Sequence, residues 1–208
     1  MTSAPPDPSR PPTGSLVLLR HGETEWSLSG RHTGRTDLPL TEHGEQVAEQ
    51  TGPLLARFRF ALVLTSPLQR ASRTAELAGL TGARVDQDLL EWDYGGYEGR
   101  TTKEIRAELG RPWTVFEDGV VPGDTPGETV EDVAARARRV VDRALPVMQD
   151  GDVALVGHGH CLRVLTSVFL RQEPRFGAQL TLSAGSVSVL GFHHEAPAIV
   201  SWNRTACV

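Results

Sequence analysis

The chain has 208 residues and a formal net charge of −5, with 39% hydrophobic and 23% charged residues, which suits one globular domain able to bury a core without staples. Its mild acidity argues against nonspecific nucleic-acid binding and against an anionic membrane surface, and no apolar run reaches the length of a membrane span. Cys161 and Cys207 are too few and too far apart for a disulfide framework, so a reducing, cytoplasmic setting is expected.

Taken in order, residues 1–14 carry Pro5, Pro6, Pro8, Pro11 and Pro12 and no apolar h-region. They read as a disordered leader rather than a signal peptide, followed by one domain over 15–208. Residues 15–19 form a short apolar run, predicted as a buried first strand that leads into Arg20, His21 and Gly22. Thr41 is placed to cap a helix to about Arg57, with Pro53 kinking or shortening it. Residues 61–65 give a second strand. Ser66-Pro67 then reads as an N-cap with proline at the first helical position, opening a helix to about Ala78.

Thr101 and Glu104 predict a capping box and a short helix ending near Gly110. Thr129 opens another helix with Val133, Ala137, Val140 and Val141 on one face. Residues 153–157 give a third strand, 161–170 a helix, and 187–192 and 199–202 two late strands. Continuous apolar strands alternating with helices predict an α/β sheet covered on both faces. Ligands of such sheets sit at the carboxyl ends of the strands. Three predicted strand ends carry polar groups: Arg20-His21, Ser66 with Arg70, and Gly157-His158.

These residues suggest chemistry on a phosphate. A neutral imidazole at a strand tip is a good nucleophile near neutral pH, and Arg20 beside His21 offers a planar fork of donors for phosphate oxygens. Arg70, near a helix start, adds charge where anions are favoured. His158, flanked by Gly157 and Gly159, could act as an imidazolium, or it could pair with His160 on a metal, since residues two apart in extended chain face one side. No Asp or Cys stands at a recognised metal spacing, so a metal site is disfavoured. Glu91, Asp93 and Glu98 lie in a loop rich in glycine and aromatics, where burial would suit one carboxyl to general-acid work.

The run Arg20-His21-Gly22-Glu23-Thr24 resembles the signature of the histidine phosphatase superfamily, also called phosphoglycerate mutase-like. The segments around Thr33-Gly34, Thr65-Ser66-Pro67-Leu68-Gln69-Arg70 and Gly157-His158-Gly159 resemble its later motifs, in the same order. The resemblance implies a three-layer α/β/α sandwich with a mostly parallel central sheet. It also implies His21 as the residue that becomes phosphohistidine, Arg20, Arg70 and His158 as holders of the phosphoryl oxygens, and Glu91 as proton donor and later base. No metal or other cofactor is implied. The substrate would be a small-molecule phosphate ester, and dimers are common among such proteins, so a homodimer is an expectation.

Ser27 stands where many relatives carry asparagine. Glu25-Trp26-Ser27, Glu91-Trp92-Asp93-Tyr94-Gly95, Pro112-Trp113 and His158-Gly159-His160 with Arg163 resemble a phosphatase subgroup. That subgroup includes a fungal sedoheptulose-1,7-bisphosphatase and actinobacterial acid phosphatases. Within it Ser27 is ordinary, and Ser27, Thr33, Gly34, Tyr94 and Arg163 would line the substrate side, with Arg163 suited to a second phosphate. Trp113, Phe116 and the chain to Pro126 are expected to cover the pocket. The resemblance favours a metal-independent phosphomonoesterase acting on sugar phosphates or bisphosphates. The alternatives are a cofactor-dependent phosphoglycerate mutase and a non-catalytic phospholigand-binding protein.

Overall fold

The computed structural model describes residues 11–206. Most of the leader expected over 1–14, and Cys207, lie outside the described residues; Gly14 donates its N–H to Met148 O at 2.9 Å.

The elements follow the alternation expected from the sequence. Strand β1 (Leu16–Arg20) is followed by a one-turn helix α1 (Glu25–Leu28) and helix α2 (Glu42–Leu55). Then come β2 (Phe60–Thr65), α3 (Gln69–Leu77) and the short β3 (Arg84–Val85). Helices α4 (Thr102–Leu109), α5 (Val115–Asp118) and α6 (Val130–Val147) precede β4 (Asp152–Gly157), α7 (Gly159–Phe169), β5 (Val187–His193) and β6 (Ala196–Arg204). Capping boxes at Thr24, Thr101 and Thr129 satisfy the first N–H groups of α1, α4 and α6. Helix α2 carries Pro53 inside it and ends at Leu55, slightly short of the expected stop.

The six strands form one mixed sheet in the order β3-β2-β4-β1-β5-β6. Strands β3, β2, β4 and β1 run parallel, and β5 is antiparallel to both β1 and β6. Successive side chains of a strand face opposite ways, and the core divides accordingly. Val17, Leu19, Ala154 and Val156 pack with Ala71 and Ala75 of α3 and Leu55 of α2. Leu16, Leu18, Val153 and Leu155 pack with Val133, Ala137 and Val140 of α6 and Leu162 and Leu165 of α7. Helices therefore cover both faces, as the three-layer expectation required. No helix among the described residues is long and apolar enough to cross a membrane.

Register fixes what lies at the carboxyl edge. Arg20 pairs with Gly157 across β1 and β4, and Thr65 pairs with Val156 across β2 and β4. The residues that follow these strands, His21, Ser66 and His158, therefore emerge side by side.

One local expectation fails here. Ser66 does not cap α3, which starts at Gln69 with Leu68 in the cap position and no side-chain cap bond from it. Asp37 takes over, accepting the Gln69 N–H at 2.9 Å, while Ser66 turns toward His158. A local capping preference yields to a tertiary partner with a stronger need for an acceptor. Helix α7 also begins at Gly159, earlier than expected, which leaves His158 in its cap position.

Candidate active site

A cavity of about 190 Å³ opens at the carboxyl edge of the sheet. Of the residues singled out in the sequence, Arg20, His21, Ser27, Thr33, Glu91, Tyr94 and Arg163 line it. Arg70, His158 and Gly34 do not. The first two pack directly behind His21, with the His21 and His158 ring centroids 5.1 Å apart, and both are fully buried.

His21 is held by its own backbone neighbour: Nδ1 lies 2.7 Å from Gly22 O. A carbonyl only accepts, so Nδ1 carries the ring proton and Nε2 keeps its lone pair. Burial, then the positive charges of Arg20 and Arg70, hold the imidazole well below its usual pKa despite the Gly22 bond. The ring is neutral at pH 7 and Nε2 is nucleophilic. Gly22 is needed for close packing: a Cβ there would collide with the backbone carbonyl of Gly44 at the start of α2, and its N–H donates to Thr74 Oγ1 at 3.0 Å.

Arg20 donates from Nη1 to Leu182 O. Its Nε is buried with no hydrogen-bond partner among the described residues. An unpaired buried donor on a cation is costly and marks where an anion's oxygen would be welcome. Arg70 is differently placed. It donates from Nε to His158 Nδ1 at 3.1 Å, from Nη1 to Thr36 O at 2.8 Å, and from Nη2 to Thr33 O and Gly34 O, each at 3.1 Å. These four bonds leave one Nη1 hydrogen of the five a guanidinium offers.

His158 departs from expectation. Because its Nδ1 accepts from Arg70, its ring proton sits on Nε2, which donates to Ser66 Oγ at 2.7 Å. Burial first, then Arg70 and His21, drive its pKa well down. It is a neutral imidazole in the free protein, where the sequence left open an imidazolium or a metal partner of His160; two guanidinium groups already supply the charge. His160 points elsewhere, its Nδ1 2.5 Å from the Tyr94 hydroxyl, so the two histidines share no common point. Among the described residues no group of three His, Cys, Asp or Glu side chains is arranged to hold a metal ion.

Glu91 is the carboxylate that reaches the cavity. Its Oε1 accepts N–H bonds from Trp92 at 2.9 Å and Cys161 at 2.8 Å, and its Oε2 accepts from His160 at 3.0 Å. Two of these donors belong to the first turn of α7, so the free N–H groups of that helix fix the carboxylate. Oε2, with one donor, is the oxygen with capacity to spare. The other two loop carboxylates are structural. Glu98 accepts the N–H groups of Gly34 and Thr36, and so shapes the carbonyls that grip Arg70. Asp93 accepts from Gly95 N and from Thr125 Oγ1. Below them Arg136 spans Glu128, Asp88 O and Leu90 O. Cys161, buried beside it, has its thiol pushed up to about 11 and stays protonated.

The substrate-side residues divide. Tyr94 and Thr33 face the cavity, although Thr33 Oγ1 turns to Arg31 O. Ser27 is on the wall, yet its hydroxyl is held in the cap of α1, accepting from Thr24 N and donating to Thr24 O at 2.9 Å each. Arg163 bonds Gly177 O and Ala178 O through Nε and Nη2 and lies 4.8 Å from the Phe116 ring centroid. Gly34 is behind the wall; a Cβ on it would lie 2.5 Å from Trp92 O and 2.6 Å from Glu98 Oε2.

Trp113 and Phe116, expected over the pocket, stand behind it. Both are core residues, with Trp113 edge-on to His32 at 5.5 Å and Phe116 edge-on to His160 at 5.3 Å. The following chain is tied down by the Gly96 N–H to Val121 O bond of 2.7 Å. His160, Ser66, Glu98 and His32 are the site residues that sequence reasoning did not assign. His160 and Ser66 stand inside the motifs, but their positions there assign them no contact with His158, Tyr94 or Glu91.

Comparison with known proteins places residues 16–205 in a match to the histidine phosphatase superfamily (branch 1). The chain is 41% identical over 181 residues to an acid phosphatase of Mycobacterium tuberculosis, covering 86% of this chain and 87% of that one. It is 34% identical over 187 residues to the sedoheptulose 1,7-bisphosphatase of Saccharomyces cerevisiae, covering 76% and 68%. It is also 38% identical over 185 residues to a 2,3-bisphosphoglycerate-dependent phosphoglycerate mutase of Azorhizobium caulinodans, covering 82% and 88%. The solved structure of the open reading frame Rv3214 product from Mycobacterium tuberculosis superposes with a TM-score of 0.88 at 38% identity, covering 94% of this chain and 100% of that one.

Proposed function

The chain belongs to the histidine phosphatase superfamily, and from that premise we propose that it is a metal-independent phosphomonoesterase of small phosphorylated metabolites, sugar phosphates or bisphosphates, working through a phosphohistidine. The observation that carries the reading is His21: a neutral ring whose Nδ1 is tied to Gly22 O, leaving the Nε2 lone pair free, on the same cavity wall as Arg20 with its buried, unpaired Nε.

His21 Nε2 attacks phosphorus and a P–N bond forms as the P–O bond to the alcohol breaks. Charge on the three phosphoryl oxygens is taken up by Arg20 and by the remaining Arg70 hydrogen, with His158 holding Arg70 Nε from behind; positioning and electrostatics supply most of the catalysis in such transfers. The departing oxygen takes a proton from Glu91. Water then attacks the phosphohistidine, Glu91 accepts its proton, and the P–N bond breaks to give phosphate and neutral His21. Arg163, whose Nη1 carries no bond among the described residues, is suited to a second phosphate at the mouth.

Phosphate release should be measured across a panel of sugar mono- and bisphosphates, with and without strong chelator. Label from a radiolabelled ester should be retained on the protein after alkaline quench and lost in acid. His21→Ala should abolish both turnover and label, and turnover surviving that substitution would overturn the mechanism. The similarity to a phosphoglycerate mutase supports a second reading. Rapid interconversion of phosphoglycerates in the presence of 2,3-bisphosphoglycerate, with little free phosphate, would favour it. Tight phosphate-ester binding with no turnover would favour a binding protein.

A further inference from the structure

His160 occupies an unusual position. Its backbone N–H holds Glu91 Oε2 at 3.0 Å, while its side chain lies on the cavity wall beside Tyr94. Nδ1 and the Tyr94 hydroxyl are 2.5 Å apart. Aromatic edges pin the imidazole, with Phe116 at 5.3 Å and Trp92 at 6.2 Å between centroids. Nε2 has no hydrogen-bond partner among the described residues and is not sealed from the cavity.

Both groups are uncharged. Burial, with Glu91 next, pushes the Tyr94 phenol well above its ordinary range; burial, with Arg163, His32 and Arg20 next, pushes His160 well below its own. Two arrangements of their protons satisfy the shared bond. In one, Tyr94 donates to Nδ1 and His160 offers Nε2–H to the cavity. In the other, Nδ1–H donates to the phenol oxygen, the phenol O–H turns outward and Nε2 accepts. A neutral pair that can present either a donor or an acceptor matches a hydroxyl, which is itself both. A second anion would need a fixed cation, and the cations on the cavity wall are Arg20, Arg31 and Arg163.

We propose that the His160–Tyr94 pair is a specificity-determining element that reads a hydroxyl of the leaving alcohol close to the ester oxygen, so that the enzyme selects polyol and sugar phosphates over plain alkyl phosphates. The inference rests on the phosphomonoesterase reading above. The hydroxyl is placed near the ester oxygen because the same residue anchors Glu91, the donor to that oxygen.

The test compares kcat/KM for glycerol 1-phosphate and n-propyl phosphate, in the wild type, Tyr94→Phe and His160→Asn. His160→Asn keeps a polar atom near the Nδ1 position for Tyr94 and removes the Nε2 end. Referring each variant's ratio to the wild-type ratio cancels the intrinsic reactivities of the esters. The wild type should prefer glycerol 1-phosphate by about tenfold or more, and each substitution should cut that preference by at least about fivefold, the size expected when a site built to bond a hydroxyl loses a partner. Parallel losses on both esters, with the preference intact, would mean that the pair only supports the fold, and would overturn the proposal while leaving the phosphatase standing. A wild type with no preference would overturn it as well. A wild type that releases phosphate from the sugar panel but from neither of these esters would overturn it too; the phosphatase reading falls only if no ester of that panel is hydrolysed.

Discussion

Arg70 Nε donates to His158 Nδ1 at 3.1 Å, and neither side chain reaches solvent. That bond decides the protonation of the second histidine. With Nδ1 engaged as acceptor, the ring can remain neutral only by carrying its proton on Nε2, where Ser66 accepts it. The guanidinium that orders the carbonyls of Thr33, Gly34 and Thr36 therefore also sets the state of its neighbour.

Arg70→Lys tests this arrangement. A lysine ammonium cannot reproduce a planar fork, so the carbonyls of Thr33, Gly34 and Thr36 lose donors that now satisfy them. Stability should fall by about 2–4 kcal/mol from the unpaired buried groups, read from urea or thermal unfolding. The kcat for p-nitrophenyl phosphate should fall by about 100-fold or more, as for loss of an electrostatic donor at a transition state. A variant with wild-type kcat would remove Arg70 from the machinery.

Glu91→Gln should slow alkyl phosphates far more than aryl phosphates, because only the former need a proton on the departing oxygen. The expected difference is about 100-fold, within the range of general-acid effects. The measurement is the dependence of kcat/KM on leaving-group pKa across a series of esters, which should steepen in the variant. An unchanged slope would deny Glu91 its role as acid.

Acid should destabilise the fold before the carboxylates titrate. His21, His158 and His160 are held well below 6.5, and burial lowers His32 to about 4. Below pH 6.5 the unfolded chain binds protons that the native state refuses, so stability is fully present above that pH and declines as pH falls below it, with each such histidine contributing a slope of about 1.4 kcal/mol per pH unit. The melting temperature should drop steadily between pH 7 and pH 5, and His32→Gln should make the drop shallower. A melting temperature that is flat or rises over this interval would contradict the buried neutral histidines.

Two glycine substitutions should move in opposite directions. Gly34→Ala places a methyl 2.5 Å from Trp92 O and 2.6 Å from Glu98 Oε2. The loop must shift, at a cost of about 1–3 kcal/mol, and activity should fall because the shift displaces carbonyls that hold Arg70. Gly52→Ala, inside α2, brings its methyl no closer than 3.4 Å to Ala78 O. It should leave stability unchanged or raise it by up to about 1 kcal/mol, since alanine favours helix. Calorimetry on both variants checks the pair.

The sheet was legible because its strands are short apolar runs bounded by helix caps, and the strand ends were legible because Arg20-His21 and Gly157-His158 stand directly after such runs. Protonation states were not. Whether His158 is charged depends on Ser66, just past β2, and Arg70, in the first turn of α3, and nothing in its glycine-flanked run encodes them. Ser66-Pro67 misled for a related reason: the dipeptide is a good local cap signal, and Asp37 displaced it from a distant loop. Gly34 looked like a ligand contact within its motif, whereas its lack of a side chain serves Glu98 and Trp92. His160 was passed over because spacing alone suggests a metal pair, and only the turn into α7 separates the two rings.

The loop from Glu91 to Glu98 is anchored at both ends to different halves of the site, one end to the first turn of α7 and the other to the chain at Gly34 and Thr36. Anyone re-engineering substrate choice by grafting this loop from another protein would transplant the proposed proton donor and the scaffold of Arg70 together. A successful chimera must therefore exchange 33–36 and the start of α7 in the same step, or the graft will arrive with its acid in place and its phosphate cradle undone.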